Sequence, residues 1–237
     1  GPPADDSRVL YRHFAVPERA WSIGAKRNLA CHLAAGDVVA HFDDDDVYAA
    51  GYLAWMLEAL LPQSSGAGRT ASSGSRQKPD AEREETAQLR CRGFAAEAVT
   101  LARWHTFDLE SGALGVCDVE QETTAADWER FNWTYGFGFT YVYPWEAWRA
   151  RRFRDDNLGE DSGFMEGVLA RGGRVAVLRD EQGFCAHTLH AHNVSGILGR
   201  GSEASSPLPP RSSAHQRLEG LARELRRQLE AEEEEEE

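Results

Sequence analysis

Apolar and polar positions along the chain follow two rhythms. Tyr52, Trp55, Met56, Ala59 and Leu60 recur at the three- and four-residue spacing of a helix that turns one face to a core. Val38-Val39-Ala40-His41-Phe42 is instead a continuous apolar run, the pattern of a strand buried on both faces. A helix opened by Ser22 carries Leu29, Ala30, Leu33 and Ala34 on one face and stops at Gly36, and a short strand is predicted before it from Val9 to Phe14. Later strands are predicted at 97–103 and 114–119, followed by an aromatic-rich stretch from Trp128 to Trp148. A helix from about Ser162, with Phe164, Met165, Val168 and Leu169, ends at Gly172-Gly173 before the strand Val175-Ala176-Val177-Leu178. Helices alternating with strands indicate an α/β domain.

Two segments break this order. Residues 62–90 are rich in Ser, Gly, Arg, Lys and Glu and nearly lack apolar residues, so little could offset the entropy of ordering them, and a disordered surface insertion is expected. After Gly201 a Ser/Pro-rich linker leads to a charged helix with Leu218, Leu221, Leu225 and Leu229 on one stripe, a short coiled-coil candidate over 215–230, and then to a glutamate run at 232–237 that reads as solvated and disordered. The division is a catalytic-sized domain over 1–200 and an appendage over 201–237.

Composition narrows the function. A chain of 237 residues with 41% hydrophobic content is long enough for one domain with a sizeable core. The net charge is −13, and residues 217–237 hold nine acids against four bases; the acidic remainder argues against a nucleic-acid partner. Cys31, Cys91, Cys117 and Cys185 are widely spaced, without a Cys-x-x-Cys pair, and read as free thiols. No apolar run is long enough for a membrane span and no signal segment is visible, so membrane association and compartment are not readable.

The candidate chemistry begins at Asp43-Asp44-Asp45-Asp46, at the end of the predicted Val38 strand. Four adjacent carboxylates repel one another unless a cation neutralises them, and hard oxygen ligands suit magnesium or manganese better than zinc. A solvated acidic turn is the plainer alternative. Lys26 and Arg27 fall in the first turn of a helix, where bases meet the positive end of the dipole unless an anion lies nearby.

Taken in order, Ser22-Ile23-Gly24-Ala25-Lys26-Arg27-Asn28, Ala35-Gly36-Asp37 and His41-Phe42-Asp43-Asp44-Asp45-Asp46 resemble the Gly-x-Lys-Arg-Asn helix, the Ala-Gly-acid turn and the Asp-x-Asp strand end of family 2 glycosyltransferases. Asn157-Leu158-Gly159-Glu160-Asp161 resembles that family's Glu-Asp element, and His190-Ala191-His192-Asn193-Val194-Ser195 its late His-x-x-Asn-x-Ser segment. The resemblance spans roughly residues 8–198. It implies a GT-A fold, a Rossmann-like open mixed sheet flanked by helices, and a metal-dependent, inverting transfer of a sugar from a nucleotide-diphosphate donor to an acceptor hydroxyl. Carried over, Asp161 is the base with Glu160 as its neighbour and fallback. Asp45, Asp43 and His190 are metal ligands, Asp45 the more direct of the pair, with Asp44, Asp46 and His192 as secondary candidates. Lys26, Arg27, Asn28, Asp43 and Asp44 bind the donor, while Gly136, Gly138 and Trp145 face the acceptor.

The family pattern starts with an apolar strand and a loop whose acidic residue touches the donor base. Here only Asp5-Asp6 precede the Val9 strand, so that N-terminal strand is expected to be missing, and a uridine diphosphate donor is a family expectation. A catalytically degenerate nucleotide-sugar or metal-binding module and a metal-dependent nucleotidyltransferase are the alternatives. Asn132-Trp133-Thr134 and Asn193-Val194-Ser195 fit the N-glycosylation pattern but lie within candidate functional segments, and are read as accidental.

Overall fold

The computed structural model describes residues 7–17, 20–62, 93–121, 126–190 and 206–236, with side chains to residue 228 in the last span. The candidate insertion from residue 63 onward, Cys91, His192 and the Asn193 sequon lie outside these residues.

The organising element is a long strand, β3 (Ala98–Asp108), almost wholly buried. Its Val, Thr, Trp and Phe side chains suit a pleated surface covered on both faces. It has two neighbours end to end along each edge. On one side β5 (Val142–Pro144) pairs at Val99 and β4 (Leu114–Asp118) pairs antiparallel across Arg103–Phe107. On the other, β6 (Val175–Arg179) and then β7 (Cys185–Leu189) run parallel to it. β1 (Val38–Ala40) flanks β5, β2 (Val47–Tyr48) flanks β7, and β8 (Ser206–Pro207) flanks β4, which completes an eight-stranded mixed sheet. Helices flank it: α1 (Ile23–Leu33), α2 (Tyr52–Leu60), α3 (Asp127–Tyr135), α4 (Trp145–Ala150), α5 (Glu160–Ala170) and α6 (Ser213–Glu236).

Three apolar clusters lock the helices down. Tyr52, Met56 and Leu60 of α2, the residues that helical spacing predicts, pack with Leu101, Trp104, Cys117 and Phe137. Phe164, Met165 and Val168 of α5 meet Tyr141, Tyr143, Trp148, Phe153 and Cys31. Ala214, Leu218 and Ala222 of α6 pack with Val47, Phe107, Ala186 and Leu208, with Leu221 and Leu225 against the same cluster. Leu218, Leu221 and Leu225 of the stripe offered to a coiled-coil partner thus pack on the domain's own sheet, while the side chain of Leu229 lies outside those described; the helix continues through Glu236 into the glutamate run. Cys31, Cys117 and Cys185 are buried free thiols. No described helix is long and apolar enough to cross a membrane.

Several elements depart from the pattern. Residues 9–14 form no strand, because a strand needs a ladder partner and this segment lies along α1 instead, with Phe14 against Trp21 at 5.0 Å between ring centres. Leu29, Ala30 and Leu33 face that segment, and the α1 residues that reach the interior are Gly24 and Cys31. β1 is half-buried, paired only with β5 among the described residues, where its apolar run predicts burial on both faces.

Candidate functional site

A cleft of about 590 Å³ opens between the turn after β1, the start of α1, helix α3 and the N-terminus of α5. Asp43, Asp45, Arg27, Gly136, Gly138, Glu160 and Asp161 all line it. Four segments widely separated in the chain therefore deliver their candidate residues to one place.

The aspartates occupy a tight turn closed by the Asp46 N–H donating to the Asp43 carbonyl at 3.3 Å. Tyr48 pins it: its hydroxyl accepts from the Asp43 N–H at 3.2 Å and donates to the Phe139 carbonyl at 3.1 Å. Asp46 is buried, and its Oδ1 accepts from the Thr188 N–H at 2.8 Å and from His187 Nδ1 at 2.9 Å. That carboxylate anchors the turn to β7. Asp44, expected to bind the donor, is exposed and outside the cleft lining. Asp43, Asp45 and Asp46 each present an oxygen, all within 4.8 Å of one another, so this acidic triad could hold a metal ion. His190 stands beside it, Nε2 lying 2.9 Å from Asp45 Oδ2.

The carboxylates of the turn are partly desolvated and repel one another. Burial pushes the Asp43 carboxyl up to about 6, opposed by the Arg27 charge and reinforced by Asp46 and Asp45. His187 is raised above the ordinary imidazole range: burial acts against its charged form, but the hydrogen bond and charge of Asp46, together with Asp45 and Asp43, outweigh it. Because a cation needs Asp43 ionised, manganese affinity is expected to fall roughly tenfold per pH unit below about 6, with proton release on binding at that pH. Calorimetry in buffers of different ionisation enthalpy checks this; flat affinity from pH 7 to 5 would overturn the coupling of cation binding to Asp43 ionisation in this range.

Comparison with protein-family models and with characterised proteins returned no match.

The opposite wall is built where α1 meets the loop before α5. Ser22 caps α1 by accepting from the Ala25 N–H at 3.0 Å while its hydroxyl donates to Asp155 Oδ1 at 2.6 Å. Asn157 Oδ1 accepts from the Ile23 N–H at 3.0 Å, and the Gly24 N–H donates to the Asp156 carbonyl at 3.1 Å. A Cβ on Gly24 would sit 1.7 Å from the Arg154 carbonyl oxygen, so only glycine lets helix and loop touch. Gly24→Ala is expected to cost about 1–3 kcal/mol and to loosen the loop that leads into Glu160-Asp161, read as a lowered Tm together with weakened ligand binding.

One turn further along α1, Arg27 reaches the cleft and meets buried Glu160 at 2.7 Å. Burial raises the Glu160 carboxyl, with Asp161 adding to the rise and Arg27 opposing it. Gly138 makes room for the pair, since a Cβ there would lie 2.1 Å from Arg27 Nη1. Glu160 is thereby committed to Arg27, whereas Asp161 fronts the cleft, Oδ1 accepting from the Ser162 N–H at 2.6 Å and Oδ2 from the Gly138 N–H at 3.3 Å.

Three predicted contacts fall elsewhere. Lys26 points to the opposite side of α1, against residues 10–14. Asn28 is structural: its amide donates to the Phe153 carbonyl at 2.9 Å and accepts from Trp148 Nε1 and the Phe153 N–H. Trp145 donates Nε1 to the Cys31 carbonyl at 2.9 Å and packs on Trp148, outside the cleft. Conversely, His187, Phe139, Trp128 and Asn132 line the cleft without having been read as site residues. The one sequence signal for His187 was a histidine alternating with Cys185 and Leu189 on a strand face.

Proposed function

We propose that this chain is a metal-dependent glycosyltransferase that moves a sugar from a nucleotide-diphosphate donor to an acceptor hydroxyl with inversion, on a GT-A type scaffold. The observation that carries the reading is the convergence of Asp43, Asp45 and Arg27 with Asp161 on one cleft, from segments that resemble the corresponding family motifs. A manganese or magnesium ion held by Asp43 and Asp45, with His190 beside Asp45, would supply positive charge to the departing diphosphate. Arg27, oriented by Glu160, presents its guanidinium to the same anion. Asp161 takes the proton from the acceptor hydroxyl, and its two backbone N–H donors hold the carboxylate in place. A base and diphosphate-binding groups that line one cleft suit a single displacement at the anomeric carbon.

Incubating the full chain with manganese and a panel of sugar nucleotides, and following release of the nucleoside diphosphate, tests the reading. Turnover with one donor, abolished by chelator and restored by manganese, is expected. Absence of binding and turnover with every donor would overturn it. Donor binding without turnover, unchanged in Asp161→Ala, would instead identify a degenerate binding module.

A further inference from the structure

Among the described residues, the two most exposed large apolar side chains are Leu158, at 68%, and Trp128, at 67%. Both line the cleft that contains Asp161. Exposed apolar area is ordinary when scattered; gathered on a functional cleft, it marks a surface that a ligand covers. Trp128 lies in the first turn of α3, a helix none of whose residues is fully buried. Its neighbour Trp133 turns inward, with its ring centre 5.7 Å from that of Phe137, so the helix is seated by one tryptophan and shows the other to solvent.

The polar groups sharing the wall define the ligand further. Glu129 and Asn132 follow Trp128 on α3, and the cleft holds five carboxylates, Asp43, Asp45, Glu129, Glu160 and Asp161, against one arginine already paired with Glu160. With the aspartate turn and Arg27 assigned to the anionic donor, Glu129 and Asp161 are left to face the acceptor, and they repel an anionic one. A flat indole face suits the C–H face of a pyranose ring, and carboxylate and amide oxygens suit its hydroxyl edge. We infer that the acceptor is a neutral oligosaccharide whose terminal ring stacks on Trp128, with Leu158 extending the apolar contact, while a hydroxyl of that ring points to Asp161. The inference rests on the glycosyl-transfer reading for the identity of the site, and makes Trp128 an acceptor-binding residue.

The test uses the full chain and its Trp128→Ala and Trp128→Phe variants, with neutral gluco-, galacto- and manno-configured oligosaccharides, a sialylated oligosaccharide and a Ser/Thr peptide as probes. Direct binding is measured by calorimetry without donor, and donor hydrolysis is measured separately with manganese. Wild-type protein is expected to bind a neutral oligosaccharide, Trp128→Ala to weaken that binding roughly fivefold to tenfold, and Trp128→Phe to recover most of it. Because Trp128 is exposed, both variants should keep the wild-type Tm, so that a loss of binding is not a loss of fold. Equal oligosaccharide affinity in wild type and Trp128→Ala, no oligosaccharide binding at all, or preference for the sialylated glycan or the peptide would overturn the inference. Oligosaccharide binding that depends on Trp128, without hydrolysis of any donor, would sink the catalytic reading and leave the acceptor surface standing.

Discussion

On the proposed mechanism, Asp161→Asn is expected to lower the rate of sugar transfer by roughly 10²- to 10⁴-fold while leaving donor affinity within about twofold, since the substitution removes the proposed proton acceptor and little else. The amide keeps the size of the carboxylate and an oxygen able to accept from Gly138 or Ser162, so the start of α5 should hold its conformation. Glu160→Gln should behave differently. It strips the charge that orients Arg27 at 2.7 Å, and its effect should fall on donor affinity more than on the maximal rate. Steady-state kinetics of both variants at saturating acceptor separates the roles. A severe rate loss in Glu160→Gln with Asp161→Asn near wild type would reverse them.

The largest effect on stability is expected at a residue outside the cleft. Asp180 follows β6 and is fully buried. Its Oδ1 accepts from the N–H groups of Gln182 and Gly183 at 3.0 and 2.8 Å, and its Oδ2 from those of Phe184 and Cys185 at 2.6 and 3.1 Å. Its carbonyl also accepts from His105 Nε2 at 3.0 Å. One carboxylate thus shapes the whole turn from β6 into β7. Asp180→Ala leaves four N–H groups without their acceptor in or near the interior, and should cost about 3–5 kcal/mol, a drop in Tm of roughly 10 °C. Asp180→Asn should recover little, because one of its two positions becomes a donor facing donors. Denaturant titration of both variants gives the numbers; a loss under about 1 kcal/mol would mean that solvent or a relaxed turn replaces the carboxylate. Since β7 carries His187, which orients the Asp46 turn, the damage should extend to metal affinity as well.

The parts of this architecture legible in the sequence are those with local causes. Tyr52, Met56 and Leu60 reach the core because helical spacing puts them on one face, and the mixed α/β character follows from the alternation of elements. The acidic turn, Arg27 and Asp161 could be picked out because short motifs surround each of them, and the structure brings them to one cleft. What escaped the sequence depends on distant partners. Residues 9–14 have strand composition but no ladder to join. Lys26 and Arg27 are neighbours in sequence, yet successive helical residues point about 100° apart, and only packing decides which of them meets Glu160. Asn28 looks like a ligand group until Trp148 and Phe153 are seen to occupy it. The Asp46–His187 pair joins residues 141 positions apart, and no spacing rule announces such a contact. The α/β class is therefore readable in the sequence, but the register of the sheet and the division of labour among adjacent polar residues are not.

The seating of α6 bears on how the gene product tolerates shortening. Leu218 and Ala214 press on Val47, the residue immediately after the aspartate turn, so the far end of the chain props up the acidic corner of the cleft. A splice form or premature stop that ends before residue 213 would bare Val47, Phe107 and Ala186 to water and leave that corner unsupported, even though every cleft residue named above was still encoded.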